Sequence, residues 1–461
     1  VSNPADVVII GASFAGLLAA ASAHRAGARV TVCERDELAD DARIRPGVPQ
    51  GGQPHVLLYR GLLTMDALLP GLHQELIDAG GVVVDTGNVA WLSPDGWLPT
   101  GHRIFDVVSL SRPLLELAVR RRVLALDGVS LWTGCRVQSL TRDGTRWQVH
   151  AADQTTLGAD TVIDASGRSS RMGHWLAELG VAVPEPQVVE AQLGYATRRY
   201  RSPHGRPIDT GIVIAARPED PVGALVFPVE NDEWLACAAG FGDRRPGRHD
   251  AEFDAFLSAL PHPAIADLIA TLEPVGDVQI HRQTANRRIA YGRGRDWPAG
   301  LLVLGDALTA FNPVYGQGIT VAACQADALG PEVAAPLTAR DTCRLQRRLA
   351  KVADFAWSLS TSEDARYDSC PQQPTRAQRT LYRWSRRANR LAVGGNIACR
   401  QTMGRVYHMM LPPQRLFGPA IAVPVLRSLI TGVPSPLPPP SVLDAVTPAP
   451  GDRVVSPPPG L

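Results

Sequence analysis

Apolar and polar positions change period several times along this chain. Residues 6–10, DVVII, form a short β-rich apolar run. GASFAG follows, and LLAAASAHRAG then reads as a helix. RVTVCERD, 29–36, is a second strand that ends in Glu34. Strand, glycine turn, helix and strand within about thirty residues make a βαβ unit of the nucleotide-binding kind. A loop rich in arginine, glycine and proline, RIRPGVPQGGQPHVLL, leads into helical patterns over 56–79 and 111–126, the latter with Pro113 in its first turn. Residues 129–151 read as a small antiparallel excursion turning at Asp143-Gly144, and ADTVIDASGRSSR is again strand then glycine turn.

From 186 to 242 the texture shifts to β-rich runs separated by turn residues, VVEAQLGYATRRYR, TGIVIAA, GALVFPV and EWLACAAGFG. They predict an antiparallel sheet in a separate layer. A helical stretch follows over 251–272, DVQIHRQTANRRIAY returns to strand, and GLLVLGDA reads as a buried parallel strand of the first domain. The chain therefore leaves the nucleotide fold, builds a second sheet and comes back. The expected domains are 1–185 with 275–330, an inserted 186–274, a helical 331–432 and a proline-rich tail, 433–461, disordered or draped over the surface.

Composition adds mainly exclusions. The 461 residues are 45% hydrophobic and 20% charged with a net charge of +1, which argues against bulk electrostatic binding of nucleic acid. Lys351 is the sole lysine, so no other lysine can serve in chemistry. Seven cysteines without a CxxC pair suggest neither a disulfide framework nor a metal site, and fit a reducing cytoplasm. The chain enters its first strand with no signal-like stretch before it. The most apolar window, 416–432, carries Pro419, Pro424 and Arg427, and is expected to be docked helix, not a membrane contact.

Two stretches carry chemistry. In GASFAG, Gly11 permits a tight turn, Ser13 stands where a pyrophosphate would approach, and Gly16 lets helix pack on strand. Phosphates would rest on the helix N-terminus, with Phe14 and Ala15 alongside, and Glu34 and Arg35 would meet the adenosine end. In LVLGDALTAFNPVYGQGITVA, 302–322, an aspartate ends an apolar strand and a glycine pair opens a helix. Asp306 can accept hydrogen bonds from a polyol, Pro313 stiffens the turn, and Gly316, Gln317, Gly318 and Ile319 present helix N–H groups to a ring that gains negative charge on reduction. That combination suits the ribityl chain and isoalloxazine of FAD.

GASFAG with Glu34, DASGRSSR, and GDALTAFNPVYGQG together resemble the class A flavoprotein monooxygenases, the para-hydroxybenzoate hydroxylase fold, over roughly residues 5–330. RPGVPQGGQPHVLL, IDASGRSSR and GLLVLGDALTAFNPVYGQG are similar to the bacterial flavin-dependent epoxidase branch, which includes the polyether epoxidases and relates to squalene epoxidase. The resemblance implies an α/β fold: a Rossmann-like FAD-binding domain, an inserted antiparallel-sheet substrate domain and a helical C-terminal region. It implies FAD, NADPH or NADH, and O₂, with a flavin C4a-hydroperoxide delivering one oxygen atom to an apolar intermediate of secondary metabolism such as antibiotic biosynthesis. By position it places Arg112 at the FAD phosphates and Val137 beside the adenine, with Arg43 and Arg45 on a loop passing the cofactor. Ser166-Gly167 stands where many class A hydroxylases carry Asp-Gly, which leaves the nicotinamide site open and admits a separate flavin reductase.

Electrophilic oxygen transfer to an alkene needs a dry, shaped pocket more than acid–base groups, whereas phenol hydroxylation benefits from a base. The second sheet should line that pocket, with Tyr195, Phe227, Phe241, His281 and Gln283 as substrate candidates. The alternatives are an aromatic hydroxylase, a flavin-dependent reductase of isoprenoid double bonds, and a non-enzymatic binding protein. A halogenase, which relies on a lysine between two sites and a tryptophan-rich motif, fits less well.

Overall fold

The computed structural model describes residues 4–294 and 296–447. Its first layer is a five-stranded parallel sheet in the order Leu301–Val303, Thr161–Asp164, Asp6–Ile10, Arg29–Cys33, Val129–Trp132. Val8 lies opposite both Val162 and Thr31, so the first strand is central. Parallel strands must be covered on both faces. The helices Phe14–Arg25 and Gly318–Asp327 pack side by side within that cover. Thus the two stretches singled out above, three hundred residues apart in sequence, begin neighbouring helices.

The second layer is a seven-stranded sheet in the order Glu273–His281, Leu193–Arg201, Glu233–Phe241, Val222–Pro228, Ile212–Ile214, Ala90–Ser93, Gly96–Trp97. Alternation along one strand shows how it is used. Ala236 and Ala238 face a core with Phe253, Leu257, Ile265 and Leu268 from the helices Asp250–Ser258 and Ala264–Ile269. Cys237 and Ala239 face the opposite side, which lines a cavity.

Several boundaries differ from the sequence reading. Ala90–Ser93 and Gly96–Trp97, which lie within the span 1–185, belong to the second sheet, where Ala90–Ser93 pairs in parallel with Ile212–Ile214. Strands this short carry no readable period. Glu273–His281 crosses the expected 274/275 boundary because it pairs along Leu193–Arg201. The helix expected over 56–79 breaks into Tyr59–Leu68 and Leu72–Asp78 at Pro70 and left-handed Gly71. The helix over 251–272 is likewise split, around Pro261 and Pro263.

The C-terminal region contains the helices Ala339–Val352, Asp354–Asp364, Arg376–Val393, Ile397–Tyr407 and Pro419–Thr431. Of the tail, Leu443 and Val446 are buried against the second sheet's core, while 448–461 lie outside the described residues. Among the described residues no helix is long and apolar enough to cross a membrane.

Candidate functional site: a cleft between two glycine turns

The amino-terminal turn is shaped by close approach. Gly11 has φ +104°, and a Cβ there would lie 2.7 Å from the carbonyl oxygen of Ala165. A Cβ on Gly16 would lie 1.8 Å from the oxygen of Gly11. Only glycine lets this helix start directly against its own turn. The helix has no side-chain cap at Ser13 and no acid in its first turn, so its leading N–H groups remain for an anion. Glu34 closes the turn, accepting from the backbone N–H of Ala12 at 2.7 Å and of Asp36 at 3.0 Å.

Around this turn lies a buried charge cluster that the sequence only half revealed. Arg45 meets Glu34 at 3.2 Å, Asp36 at 2.8 Å and Glu116 at 2.7 Å. Arg112 donates to Ser13 Oγ at 3.0 Å and lies 5.0 Å from the ring centre of Phe14. It also donates to His55 Nε2 at 2.9 Å, while His55 Nδ1–H donates to the oxygen of Gln53 at 2.7 Å. Burial, and then the Arg112 charge, push His55 down to about 3, so the ring is neutral and its tautomer fixed. Asp36, Glu116 and His55 were not among the expected site residues. Glu116 had one signal, its spacing of four from Arg112 on the helix Arg112–Leu124. Arg43 does not join the cluster: its side chain is largely exposed and paired with Asp41 two residues away. A local acid captured it.

The later turn is held from further away. Gly305 has φ +62°, and a Cβ there would come within 2.6 Å of Ala15 Cβ, so this strand end abuts the first turn. Asp306 is partly exposed, 3.7 Å from Arg168. Arg168 donates to the carbonyl oxygens of Ala285 at 2.7 Å and Phe311 at 2.5 Å, tying three segments together. Next to it, buried Asp164 accepts from Ser166 N at 3.0 Å and Ser170 Oγ at 2.5 Å, shaping the Ser166-Gly167 turn.

Asn312 caps the short turn Pro313–Tyr315, which ends at left-handed Gly316. Asp364, from the C-terminal helices, accepts from Asn286 Nδ2 at 2.7 Å, from Asn312 Nδ2 at 2.9 Å and from Tyr315 Oη at 2.8 Å. Burial pushes Asp364 up to about 6 against these hydrogen bonds. A Cβ on Gly318 would meet nothing within 4 Å, so space opens before the first turn of its helix.

One cavity of about 1050 Å³ runs between the two turns and on beneath the second sheet. Of the expected cofactor residues, Gly11, Ser13, Phe14, Ala15, Glu34, Arg35, Arg45, Arg112, Val137, Asp306, Pro313, Gly316, Gly318 and Ile319 line it. Gly16 packs behind the turn, and Gln317 is buried with its amide donating to Tyr315 O. Neither borders the cavity. The substrate candidates Tyr195, Phe227, Phe241, His281 and Gln283 all line it. Tyr195 Oη is buried without a partner, and burial lowers the pKa of His281, whose Nε2–H donates to Gln283 O at 3.2 Å.

The C-terminal helical region, which the sequence reading left without a role, supplies another wall. Tyr367 stacks on Phe241 at 3.7 Å, and Arg400, Met403, Tyr407 and His408 border the space. Lys351 is exposed on another helix and does not.

The family described as FAD binding domain matches residues 107–362, more than half of the chain. Protein Rv3254 of Mycobacterium tuberculosis is 30% identical over 411 residues, covering 85% of each chain. Menaquinone reductase of Mycolicibacterium smegmatis is 29% identical over 68% of this chain and 73% of its own. Squalene epoxidase 1 of Arabidopsis thaliana is 25% identical over 69% and 57%. Among solved structures, a flavoprotein/dehydrogenase from Cytophaga hutchinsonii superposes with a TM-score of 0.65 at 14% identity, covering 93% of this chain and 98% of that one. The OxyS anhydrotetracycline hydroxylase of Streptomyces rimosus gives 0.56 at 18%, covering 88% and 76%. The chain belongs to the FAD binding domain family of flavin-dependent monooxygenases and oxidoreductases, and it has the class A monooxygenase fold.

Proposed function

We propose that this protein is an FAD-dependent monooxygenase that uses O₂ and NAD(P)H to epoxidise an alkene of an apolar substrate. The balance is alkene, O₂, NAD(P)H and a proton going to epoxide, water and NAD(P)⁺. The carrying observation is that one cavity is bordered both by the Asp306–Gly318 stretch and by the apolar face of the second sheet.

The residues present fit FAD. The uncapped helix start beyond Gly11 suits a pyrophosphate, Arg112 lies beside it, Glu34 suits the ribose hydroxyls, and the open space at Gly318 admits a flat ring against helix N–H groups. Bound and reduced, FAD supplies the electrons that allow one atom of O₂ to be transferred to carbon. The protein's own part is to bind, orient and exclude water. Tyr195, Phe227 and Phe241 give the pocket apolar walls, and the Asn312–Asp364 bonds keep the turn at Pro313 rigid.

The histidines on the cavity wall favour an alkene over a phenol. His55, His281 and His408 are all lowered by burial, His55 to about 3 and His408 to about 4, which makes each a weak base for a phenolic proton. A reductase reading is supported by the likeness to a menaquinone reductase and to a digeranylgeranylglycerophospholipid reductase of Methanosphaera stadtmanae.

Incubating FAD-loaded protein with NADPH or NADH under ¹⁸O₂ and a panel of apolar alkenes and phenols separates these readings. Epoxide carrying one ¹⁸O atom is expected. Product from phenols alone, or a product that has gained two hydrogens and no label, overturns the proposal.

A further inference from the structure

Arg400, Met403, Gly404 and Tyr407 border the cavity as one stripe of the helix Ile397–Tyr407, at the i, i+3, i+4, i+7 spacing of a single helical face. At one end, Tyr407 Oη donates to Tyr315 O at 3.2 Å, against the glycine turn at Gly316. At the other end is Arg400, two helical turns or about 10 Å away along the axis.

Arg400 is only 7% exposed. Its Nη2 donates to Thr86 O at 3.0 Å, and its buried Nε has no partner. Among the described residues no carboxylate lies within 4 Å of it. Asp85, the acid whose charge reaches it, already accepts from the N–H groups of Gly87 and Ile104. The other acids on this part of the wall are also engaged: Asp95 by Arg386 and Arg390, Glu363 by Arg366. Burial lowers Arg400 to about 10, so it stays cationic at neutral pH. A buried guanidinium without a carboxylate in direct contact is costly and scarce in folded proteins. The apolar side chains of Leu98, Ile104, Val107 and Met403 share the cavity wall with it, together with His408, whose ring is kept neutral by burial and the Arg400 charge.

We infer that Arg400 is the anchor for an anionic oxygen group, a carboxylate, at one end of an otherwise apolar substrate whose reacting carbon lies about 10 Å away beside the Tyr315–Gly316 turn. The inference rests on reading this cavity as the substrate site.

The test is calorimetric titration of the FAD-loaded, oxidised protein with 9-decenoate, 9-decen-1-ol and 9-decenylammonium, whose alkenes lie at a matching distance from the head group. Decenoate is expected to bind about tenfold or more tightly than the alcohol, and the ammonium most weakly. Arg400→Met should weaken decenoate about tenfold or more and leave the alcohol within about twofold, with an unchanged circular dichroism spectrum. Arg400→Lys, which keeps the charge without the fork, should retain part of the preference. Equal binding of acid and alcohol, no binding of decenoate, or a preference that survives in Arg400→Met overturns the assignment. No reductant is present, so the result is independent of whether oxygen is later incorporated.

Discussion

Alanine at Gly16 should cost the protein its flavin. The added methyl carbon would lie 1.8 Å from the carbonyl oxygen of Gly11, a contact between two backbones with no flexible side chain to yield. Either the helix Phe14–Arg25 slides outward or the turn at Gly11 opens. The turn cannot open toward its other neighbour, because Gly11 is already pressed against Ala165. Both movements displace the N–H groups proposed to hold the pyrophosphate. Over-packing of this kind costs about 1–3 kcal/mol, and the loss of aligned donors adds to it, so FAD affinity should fall roughly 10- to 100-fold. Titration of purified Gly16→Ala with FAD, followed by flavin fluorescence, reads the change directly. Wild-type affinity in the variant would mean that the pyrophosphate does not sit on this helix.

Removing Asp364 should be the most damaging single change at the other turn. Its carboxylate accepts from Asn286, Asn312 and Tyr315, and all of these are held in the protein interior or at the cavity edge. In Asp364→Ala Asn312 Nδ2 and Tyr315 Oη lose their acceptor together, Asn286 Nδ2 keeps only the oxygen of Val189 at 3.3 Å, and a loss of about 3 kcal/mol or more in folding stability follows. The pH dependence gives a finer signature. Burial raises the native pKa of Asp364 to about 6 from 3.8, so between those values the native state holds a proton that the unfolded chain has released. Its contribution is therefore fully present below about 3.8 and is lost as pH rises through about 6, amounting to ~3 kcal/mol over the window. Asp364→Asn lacks this titration. Urea unfolding from pH 4 to pH 7 should show the stability difference between wild type and Asp364→Asn shifting against the wild type by that order. A flat difference would place Asp364 at an ordinary carboxylate value.

These two residues also mark what the sequence can and cannot disclose. Gly16 is legible because its constraint is local: strand, turn and helix follow one another within a few residues, and the spacing of the glycines alone carries the geometry. The stretch 302–322 is legible for the same reason, since aspartate, proline and two glycines conflict with the strand and helix around them. Asp364 gives no such sign. It sits on an ordinary helix pattern, and its partners Asn286 and Asn312 lie 78 and 52 residues away. Arg168 is similar: the segment DASGRSSR is recognisable, but nothing in it says that its arginine ties together Ala285 and Phe311. Arg43 and Arg45 show the converse limit. Two residues apart on one loop, they look equivalent, yet one meets the buried carboxylates of Glu34 and Glu116 and the half-buried Asp36, and the other an exposed aspartate.

The cavity wall divides along the same line. Tyr195, Phe227 and Phe241 could be named from the expectation that the second sheet lines the pocket. The stripe of Arg400, Met403, Gly404 and Tyr407 has a helical period, but a helix pattern alone does not tell whether its inward face meets a core or an open pocket. Ala90–Ser93 joins the second sheet by pairing with Ile212–Ile214, more than a hundred residues later, and no short-range feature announces that partner.

Two turns far apart in sequence bound one cleft, and a single extended FAD is expected to span it. A crystal structure of the protein grown with FAD tests it most directly. The adenosine ribose is expected within hydrogen-bonding reach of Glu34, and the edge of the isoalloxazine against the backbone of Gly316–Ile319. A flavin ring bound away from that backbone, or an adenosine outside the Glu34 turn, would contradict it.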